Sequence, residues 1–393
     1  MKKTIRDFDL NNKRVIIRCD FNVPIKDGVI QDDNRIVQSL ATIKYALENN
    51  AKVILMSHLG RIKEEEDKAS NSLRVVATRL QELLGKNVVF VPTTRGEELE
   101  NAVNALNPGD VLLMENTRFE DVPGKKESGN DPELGAYWAS LGEVFINDAF
   151  GTCHRAHASN VGIASNLPSG LGFLVEKEYN ELSVLTNPEH PFVVVLGGSK
   201  VSDKIGVIEN LVTKADHIII GGGMAYTFLK AKDINIGKSI LDEESIDFCK
   251  GILANYSEKI VLPVDNVASK EFSNEAPNRV CKVEELEALE QGLDIGPETV
   301  TLFNSVLDTA KTVFWNGPLG VYEFENYTKG TESVLNKLVT LDAKTILGGG
   351  DIVAAATKLG YKDKVTHAST GGGVTLEFME GKELPGVVSI NDK

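Results

Sequence analysis

The 393-residue chain has few cysteines, no long apolar run and a deficit of positive charge, and each of these argues against a class of protein. Its four cysteines lie far apart, without a Cys-x-x-Cys pair or the Cys/His spacing of a zinc site, so neither a disulfide framework nor structural zinc is expected. No stretch approaches the roughly 18 uninterrupted apolar residues of a membrane-spanning helix. Lys and Arg total 42 against 57 Asp and Glu, and the net charge of -15 gives no support to non-specific binding of nucleic acid or anionic lipid.

The remaining composition is that of an ordinary globular protein, with 42% hydrophobic and 25% charged residues. At roughly 150 residues per domain, the length predicts two large domains. The basic residues Lys2 and Lys3 have no apolar run behind them, so we expect a soluble, unexported protein of the cytoplasm. Any anion-binding site must come from a local cluster of basic residues.

Short runs of β-branched and other apolar residues alternate with stretches of helical periodicity. Such runs are typical of strands that are buried on both faces of a parallel sheet. The candidate strands are residues 15–17, 53–56, 111–114, 144–146, 192–196, 218–220, 260–262, 313–315 and 345–347. The alternation predicts an α/β fold with two doubly wound, Rossmann-like parallel sheets.

A segment rich in proline and glycine, residues 167–172, marks the expected domain boundary, and a helical segment follows it from Phe173 to Leu185. We therefore predict an N-terminal domain over 1–168, an interdomain hinge helix over 169–185 and a C-terminal domain over 186–376. The tail, residues 377–393, is too short for another strand-helix unit, and we expect it to pack back on the first domain.

Four of five candidate arginines in the first half lie at strand ends or in the loops that follow, where open α/β sheets bind ligands. The candidate basic site consists of Arg18, Arg35, Arg61, Arg118 and Arg155, with His58, His154 and His157. The planar guanidinium fork pairs bidentately with phosphate or carboxylate oxygens, so this pattern predicts a site for a small polyanion. Asp20 and Asn22 could hold a substrate hydroxyl, or they could form only a turn or a helix cap.

The strand ends of the second half are rich in glycine instead. Gly197 to Lys204 follows a strand and places Lys200 and Lys204 at an expected helix start, a pattern suited to phosphate or, less specifically, to a tight turn. Asp351 follows three glycines and could hold Mg²⁺ or merely cap a helix, while Glu323 could accept ribose hydroxyls or be a surface carboxylate. Neither a Walker A loop nor a complete Gly-x-Gly-x-x-Gly motif is present.

Nine motifs, in order and at matching spacing, resemble one family across essentially the whole chain. They are RCDFNVP (18–24), MSHLGR (56–61), ENTRF (115–119), NDAFGT (147–152), HRAH (154–157), GSKVS (198–202), WNGP (315–318), GGGD (348–351) and STGGG (369–373). This set is similar to that of the phosphoglycerate kinases, enzymes of glycolysis. The resemblance implies a monomer of two α/β domains that face a central cleft and close by hinge bending.

The same resemblance implies a reversible phosphoryl transfer from 1,3-bisphosphoglycerate to ADP, giving 3-phosphoglycerate and ATP, with Mg²⁺ as cofactor and Arg35 and Lys200 as catalytic residues. It places the phosphoglycerate on Asp20, Phe21, Asn22, Arg35, His58, Leu59, Gly60, Arg61, Arg118 and Arg155. It places the nucleotide on Lys200, Lys204, Gly221, Gly222, Gly292, Asn316, Glu323, Gly349, Gly350, Asp351 and Ile352, with Asp351 at the metal.

The sequence departs from the family pattern at a few positions. Ile352 stands where the family commonly has Ser or Thr, which removes a hydroxyl that could bind a phosphate, so we expect at most a weaker affinity for nucleotide. Ile62, Val374 and Thr375 are further departures, and Cys19 replaces a more usual valine. Two other classes of function stay open on residues alone: a nicotinamide-dependent dehydrogenase, and a non-catalytic anion-binding protein, which would leave the two lysines and Asp351 without a role.

Overall fold

Two six-stranded parallel sheets carry the fold, in a computed structural model that describes residues 1–393. The chain divides into a first unit, residues 1–179 and 383–393, and a second unit, residues 180–382. This confirms the predicted mixed α/β class with parallel sheets, and each predicted strand is present. The division falls within the segment 169–185 that the sequence assigns to a hinge.

The first unit contains a six-stranded sheet with helices along it and a small hairpin. Its strands are β1 (Arg14–Arg18), β2 (Ile25–Lys26), β3 (Val29–Ile30), β4 (Lys52–Met56), β5 (Val88–Val91), β6 (Val111–Met114), β7 (Val144–Asn147) and β8 (Ser169–Leu171). Its helices begin with α1 (Asn34–Glu48), α2 (Arg74–Leu84), α3 (Glu97–Asn104) and α4 (Pro132–Ser140), and α5 (Phe173–Ser183) crosses the division. The sheet order is β5-β6-β4-β1-β7-β8, and β2 and β3 form the hairpin.

The first sheet forms because its strands are apolar on both faces. Residues 15–18 of β1 and 53–56 of β4 are buried, and Ile36, Ile43 and Ala46 of α1 pack in the same core. One prediction is wrong: Ser169–Leu171 is not part of a hinge but the edge strand β8, because its main chain pairs in parallel with β7.

The second unit repeats the parallel sheet and adds an antiparallel one. Its strands are β9 (Phe192–Leu196), β10 (His217–Ile220), β11 (Ile260–Val261), β12 (Asp265–Ser269), β13 (Asn278–Lys282), β14 (Gln291–Ile295), β15 (Thr312–Asn316), β16 (Lys344–Gly348) and β17 (His367–Ser369). Its helices are α6 (Ile205–Leu211), α7 (Met224–Ala231), α8 (Ile246–Tyr256), α9 (Pro297–Leu307), α10 (Lys329–Leu338), α11 (Gly350–Lys358) and α12 (Gly373–Met379). The parallel order is β11-β10-β9-β15-β16-β17, and the antiparallel order is β13-β12-β14.

The C-terminal segment ends in the short helix α13 (Pro385–Val388) and belongs to the first unit. There the Asn147 side chain donates to the Gly386 carbonyl at 2.8 Å. The prediction began the tail too early: residues 377–382 belong to the second unit, because the Asn210 side chain donates to Met379 O at 2.7 Å. None of the helices combines the length and apolarity that a membrane span requires.

Candidate active site

The loops after β1 and β4 are joined by hydrogen bonds at the carboxyl edge of the first sheet. Phe21 N donates to Ser57 Oγ at 2.8 Å, and Gly60 N donates to Asn22 Oδ1 at 2.8 Å. Asn22 N donates to Asp20 Oδ1 at 3.2 Å. Since β1 and β4 pair in parallel, residues about forty positions apart in sequence meet here.

The loop after β6 is fixed to the same place. The Asn116 side chain accepts from Leu59 N at 3.1 Å and donates to Leu59 O at 2.7 Å, and the Arg118 guanidinium donates to Gly60 O. The side chains of Leu59 and Phe21 are buried in the hydrophobic core, so only their main chain can reach a ligand. Gly60 has φ of 62°, a left-handed conformation that favours glycine.

Four arginines remain as candidate anion-binding groups at this edge. Arg35 donates to Asp20 Oδ2 at 2.8 Å and leaves about half of its side chain exposed. Arg118 is half-buried, and its pKa is lowered by burial and also by the positive charge of Arg155. Arg155 Nε donates to His154 Nε2 at 3.2 Å. Arg61 follows Gly60 in the same loop and is exposed, but no hydrogen bond or ion pair joins it to the others.

Two of the three histidines in the predicted basic site, His58 and His157, do not supply positive charge. Burial, reinforced by Arg18 and Arg118, holds the pKa of His58 well below its ordinary value. The same causes lower the pKa of His157 to about 3. Arg18 is likewise no surface cation, because its side chain is fully buried against Glu127. The positive charge offered to a ligand therefore comes from exposed and half-buried arginines.

In the second unit, the loops after β9, β15 and β16 meet in the same manner. Lys204 Nζ donates to Asn316 Oδ1, and Asn316 Nδ2 donates to Gly348 O. Burial lowers the pKa of Lys204, with Asp203 and Asp351 opposing the shift. Lys200 is exposed and makes no hydrogen bond or ion pair with the protein, so its ammonium group is available to a ligand.

A pocket beside these loops contains the lysines and glycines expected at phosphates. Its lining includes Lys200, Lys204, Asn316, Gly349, Gly350 and Asp351. Gly349 has φ of 118° and precedes α11, whose first-turn N–H groups lack intrahelical partners. A helix N-terminus of this kind attracts anions.

An adjoining cavity of about 310 Å³ has mixed apolar and polar walls. Predicted residues in the wall are Gly222, Gly292, Glu323 and Asp351. Gly221 does not line the cavity, because it packs beneath it against Leu319, where a Cβ would overlap the leucine side chain. Ile352 is buried in the core rather than directed at this wall, so its side chain does not occupy the place of a phosphate-binding hydroxyl.

Sequence reasoning missed several wall residues. Tyr226, Phe272 and Asp294 line the cavity, and Tyr226 OH lies where a Cβ on residue 292 would be, which explains the glycine there. Burial raises the pKa of Asp294 to about 8, and its carboxylate accepts from Gly330 N at 2.9 Å. Of these three residues, only Phe272 could have been identified from the sequence, because it is a lone aromatic residue in a polar segment. Phe272 is 60% exposed.

The residues do not form a closed metal site. No group of three or more His, Cys, Asp or Glu side chains is placed to hold a metal ion. Two carboxylates, Asp203 and Asp351, line the phosphate-type pocket, and of these Asp351 lies at the start of helix α11. One carboxylate with ligand phosphates and water is an arrangement that Mg²⁺ accepts.

A cluster of arginines at the carboxyl edge of one unit and a pocket lined by lysines and glycines in the other are typical of a phosphotransferase. Residues 5–382 match the family model described as phosphoglycerate kinase. The chain is 62% identical to the phosphoglycerate kinase of Listeria innocua and 61% identical to that of Enterococcus faecalis, each over 100% of both chains. The chain belongs to the phosphoglycerate kinase family, whose reaction generates ATP in glycolysis.

Solved structures agree with this assignment. The structure of phosphoglycerate kinase from Coxiella burnetii matches with a TM-score of 0.92 and 39% identity, covering 99% of this chain and 98% of that one. The phosphoglycerate kinase from Pyrococcus horikoshii matches with a TM-score of 0.83 and 31% identity, covering 98% of both chains. The dehydrogenase and the non-catalytic alternatives are thereby excluded.

The low pKa of His157 predicts a loss of stability in acid. The unfolded chain takes up a proton at His157 near pH 6.5, whereas the folded protein takes it up only near pH 3. The contribution of His157 to the free energy of unfolding is therefore present above pH 6.5 and is lost as the pH falls, by about 1.4 kcal/mol per pH unit. The free energy of unfolding can be measured as a function of pH by urea unfolding followed by circular dichroism. Between pH 3 and pH 6.5 it should fall less steeply in His157→Gln than in the wild type, by about 1.4 kcal/mol per pH unit. Parallel profiles for the two proteins would contradict the assignment.

Proposed function

We propose that the first unit binds 3-phosphoglycerate or 1,3-bisphosphoglycerate and the second binds ADP or ATP. The observation that carries this proposal is the contrast between the two carboxyl edges, since one presents arginines and the other lysines, glycines and a helix N-terminus. Guanidinium groups suit the carboxylate and phosphate of a small acid. Main-chain N–H groups and lysines suit a polyphosphate.

On the first unit, we assign the phosphoglycerate to Arg35, Arg61, Arg118 and Arg155 as the charged groups. Asp20 accepts from Arg35 and is fixed by the turn to Asn22, so its carboxylate can also accept from a substrate hydroxyl. His58 adds a neutral polar group at the same edge. The main chain of residues 21 and 59–60 completes the proposed site.

On the second unit, we assign the phosphates to Lys200, Lys204 and the main chain of residues 349–352. Asn316 positions Lys204 and the Gly348 carbonyl through its two side-chain bonds. The adjoining cavity takes the base and ribose, with Gly292 opposite Tyr226 and Glu323 at its rim. Asp351 lines both pockets, which makes it the link between the nucleoside and phosphate positions.

The reaction requires the protein to align the two substrates and to neutralise negative charge. A carboxylate that accepts a phosphoryl group is already deprotonated at neutral pH, so no general base is needed. We assign stabilisation of the moving phosphoryl group to Lys200 and Arg35. Lys200 suits this role because its ammonium group has no partner in the protein.

The residues fit a magnesium ion carried by the nucleotide. Asp351 is exposed and lies in the first turn of α11. Its negative charge acts to raise the pKa of Lys204. A bound Mg²⁺ would neutralise phosphate charge, as in other phosphoryl-transfer enzymes. We assign its protein ligand to Asp351, because this carboxylate lines both the phosphate-type pocket and the adjoining cavity, whereas Asp203 lines only the former.

We also propose that the enzyme acts as a cytoplasmic monomer. The monomer follows from the resemblance to the family, and the four cysteines, which are all free and buried, fit a reducing compartment. Because the two ligands are assigned to different units, transfer requires them to meet, and we propose that hinge bending near residues 173–185 brings them together.

Loss of Lys200 tests the proposed mechanism. With 3-phosphoglycerate and Mg-ATP, production of 1,3-bisphosphoglycerate can be followed through a coupled dehydrogenase as loss of NADH absorbance. Lys200→Ala should lower turnover on the order of 10³-fold, because the moving phosphoryl group loses its cation. Lys250→Ala, an exposed lysine on α8, serves as the control and should retain turnover. Near-normal turnover in Lys200→Ala would refute the role.

Loss of the Asp351 carboxylate tests the metal assignment without relying on activity. Calorimetric titration of the wild type with ADP should show tighter binding when Mg²⁺ is present than when it is chelated. Asp351→Asn should remove most of that difference while it retains binding of metal-free ADP. The exposed Asp342 provides the control Asp342→Asn, which should behave as wild type. An undiminished effect of Mg²⁺ in Asp351→Asn would show that another group holds the metal.

Small-angle scattering tests hinge bending. The radius of gyration should fall when 3-phosphoglycerate and a non-hydrolysable Mg-ATP analogue are added together, and each ligand alone should change it less. An identical scattering curve with and without both ligands would count against hinge bending.

A further inference from the structure

The proposed mechanism leaves one fully buried ion pair of the first unit without a role. Arg18 Nη2 lies 3.8 Å from Glu127 Oε1, and neither side chain is exposed. Ser159 joins them: its N–H donates to Glu127 Oε2 at 2.9 Å, its hydroxyl donates to Oε1, and its Oγ accepts from Arg18 Nε at 2.8 Å. Buried charges persist only when they are paired and hydrogen-bonded, so this network holds Arg18 in one orientation.

The orientation of Arg18 determines which ring nitrogen of His58 carries the proton. The remaining donors of Arg18 reach the Cys19 carbonyl at 2.6 Å and His58 Nδ1 at 3.3 Å. A guanidinium group has only donors, so His58 Nδ1 must accept this hydrogen bond. A histidine ring whose Nδ1 accepts is neutral and carries its proton on Nε2.

The surroundings of His58 favour the same state. Arg35, Arg118 and His157 are electrostatically coupled to it together with Arg18, so a charged imidazolium would face several cations. The ring is 4% exposed, and its Nε2 makes no hydrogen bond within the protein. That nitrogen is the one polar atom of the ring left for a ligand.

We infer that Glu127 and Arg18 are positioning residues that fix His58 as the neutral tautomer protonated on Nε2, so that it donates one hydrogen bond to the phosphoglycerate anion. The part that concerns the substrate rests on the proposed function. With the opposite tautomer, Nε2 would present a lone pair to an anion, which is repulsive. Glu127 touches no substrate in this account and acts only through Arg18 and Ser159.

The tautomer can be read in the free protein by ¹⁵N NMR of protein labelled at histidine, at neutral pH and without ligand. His58→Gln identifies the His58 signals among those of the six histidines. We expect the signature of a neutral ring protonated on Nε2. A ring protonated on Nδ1, or on both nitrogens, would overturn the inference whatever substrate the enzyme uses.

Glu127→Gln tests whether the ion pair between Arg18 and Glu127 fixes the tautomer of His58. It keeps the shape of the side chain but removes the charge that holds Arg18, so we expect a mixture of His58 tautomers. The KM for 3-phosphoglycerate should rise about tenfold, the equivalent of one hydrogen bond, and the KM for ATP should stay unchanged. If Glu127→Gln does not fold, as judged by circular dichroism, Ser159→Ala is used with the same expectations.

A matched control separates this role from general damage. Glu120 forms a buried-carboxylate ion pair with Arg95 at 2.8 Å in the same unit, and its side chain bonds to Thr94 and Arg95 rather than to Arg18 or Ser159. Glu120→Gln should leave both the His58 spectrum and the KM for 3-phosphoglycerate as in the wild type. An unchanged tautomer in Glu127→Gln, or an equal rise of KM in the control, would overturn the inference. If no variant folds, the ¹⁵N NMR spectrum of the wild-type histidines tests the inference alone.

Discussion

The two proposed anion-binding sites depend on the parallel pairing of β1 with β4 and β7, and of β9 with β10 and β15. Parallel pairing brings the carboxyl ends of strands to one edge, where loops far apart in sequence meet. The chain as a whole carries a net charge of -15, so an anion finds no general attraction. The attraction is local and exists only where folding brings the few cations together.

Burial determines which of these cations a ligand meets. Arg18 is paired with Glu127, and burial disfavours protonation of His58 and His157, so exposed and half-buried arginines are the cations proposed to meet a ligand at the first edge. In the second unit, Lys204 is bound to Asn316, while Lys200 is left without a partner. Each unit thus combines a fixed, buried cation that shapes the loops with an exposed one that can meet substrate.

The sequence predicts the parallel sheets well because buried parallel strands have an unmistakable pattern, as in Phe192–Leu196. The antiparallel sheet of β12, β13 and β14 was not foreseen, since its strands mix polar and apolar residues and β13 is largely exposed. The edge strand Ser169–Leu171 was mistaken for a hinge because two of its neighbours are proline and glycine. Local composition does not reveal pairing with a distant strand.

At the site, the residue types at strand ends were predictable, but their environments were not. A sequence does not show that Arg18 is buried beside Glu127, more than one hundred positions away, or that burial lowers the pKa of His58 and of His157. Ile352 was expected to affect phosphate binding, yet its side chain lies in the core, because helix α11 turns that position inward. Tyr226 was missed because an aromatic residue in an apolar helix is normally core, and only the close approach of Gly292 gives it a wall position.

The central claim is that each carboxyl edge carries one substrate. Hydrogen exchange measured by mass spectrometry tests it directly, with 3-phosphoglycerate and Mg-ADP added separately. The account predicts that 3-phosphoglycerate slows exchange in the segments around residues 20–22, 35, 58–61, 116–118 and 155. It predicts that Mg-ADP slows exchange around residues 197–204, 222–226, 291–295, 318–323 and 348–352. Protection by both ligands in the same unit, or by either ligand away from these segments, would contradict it.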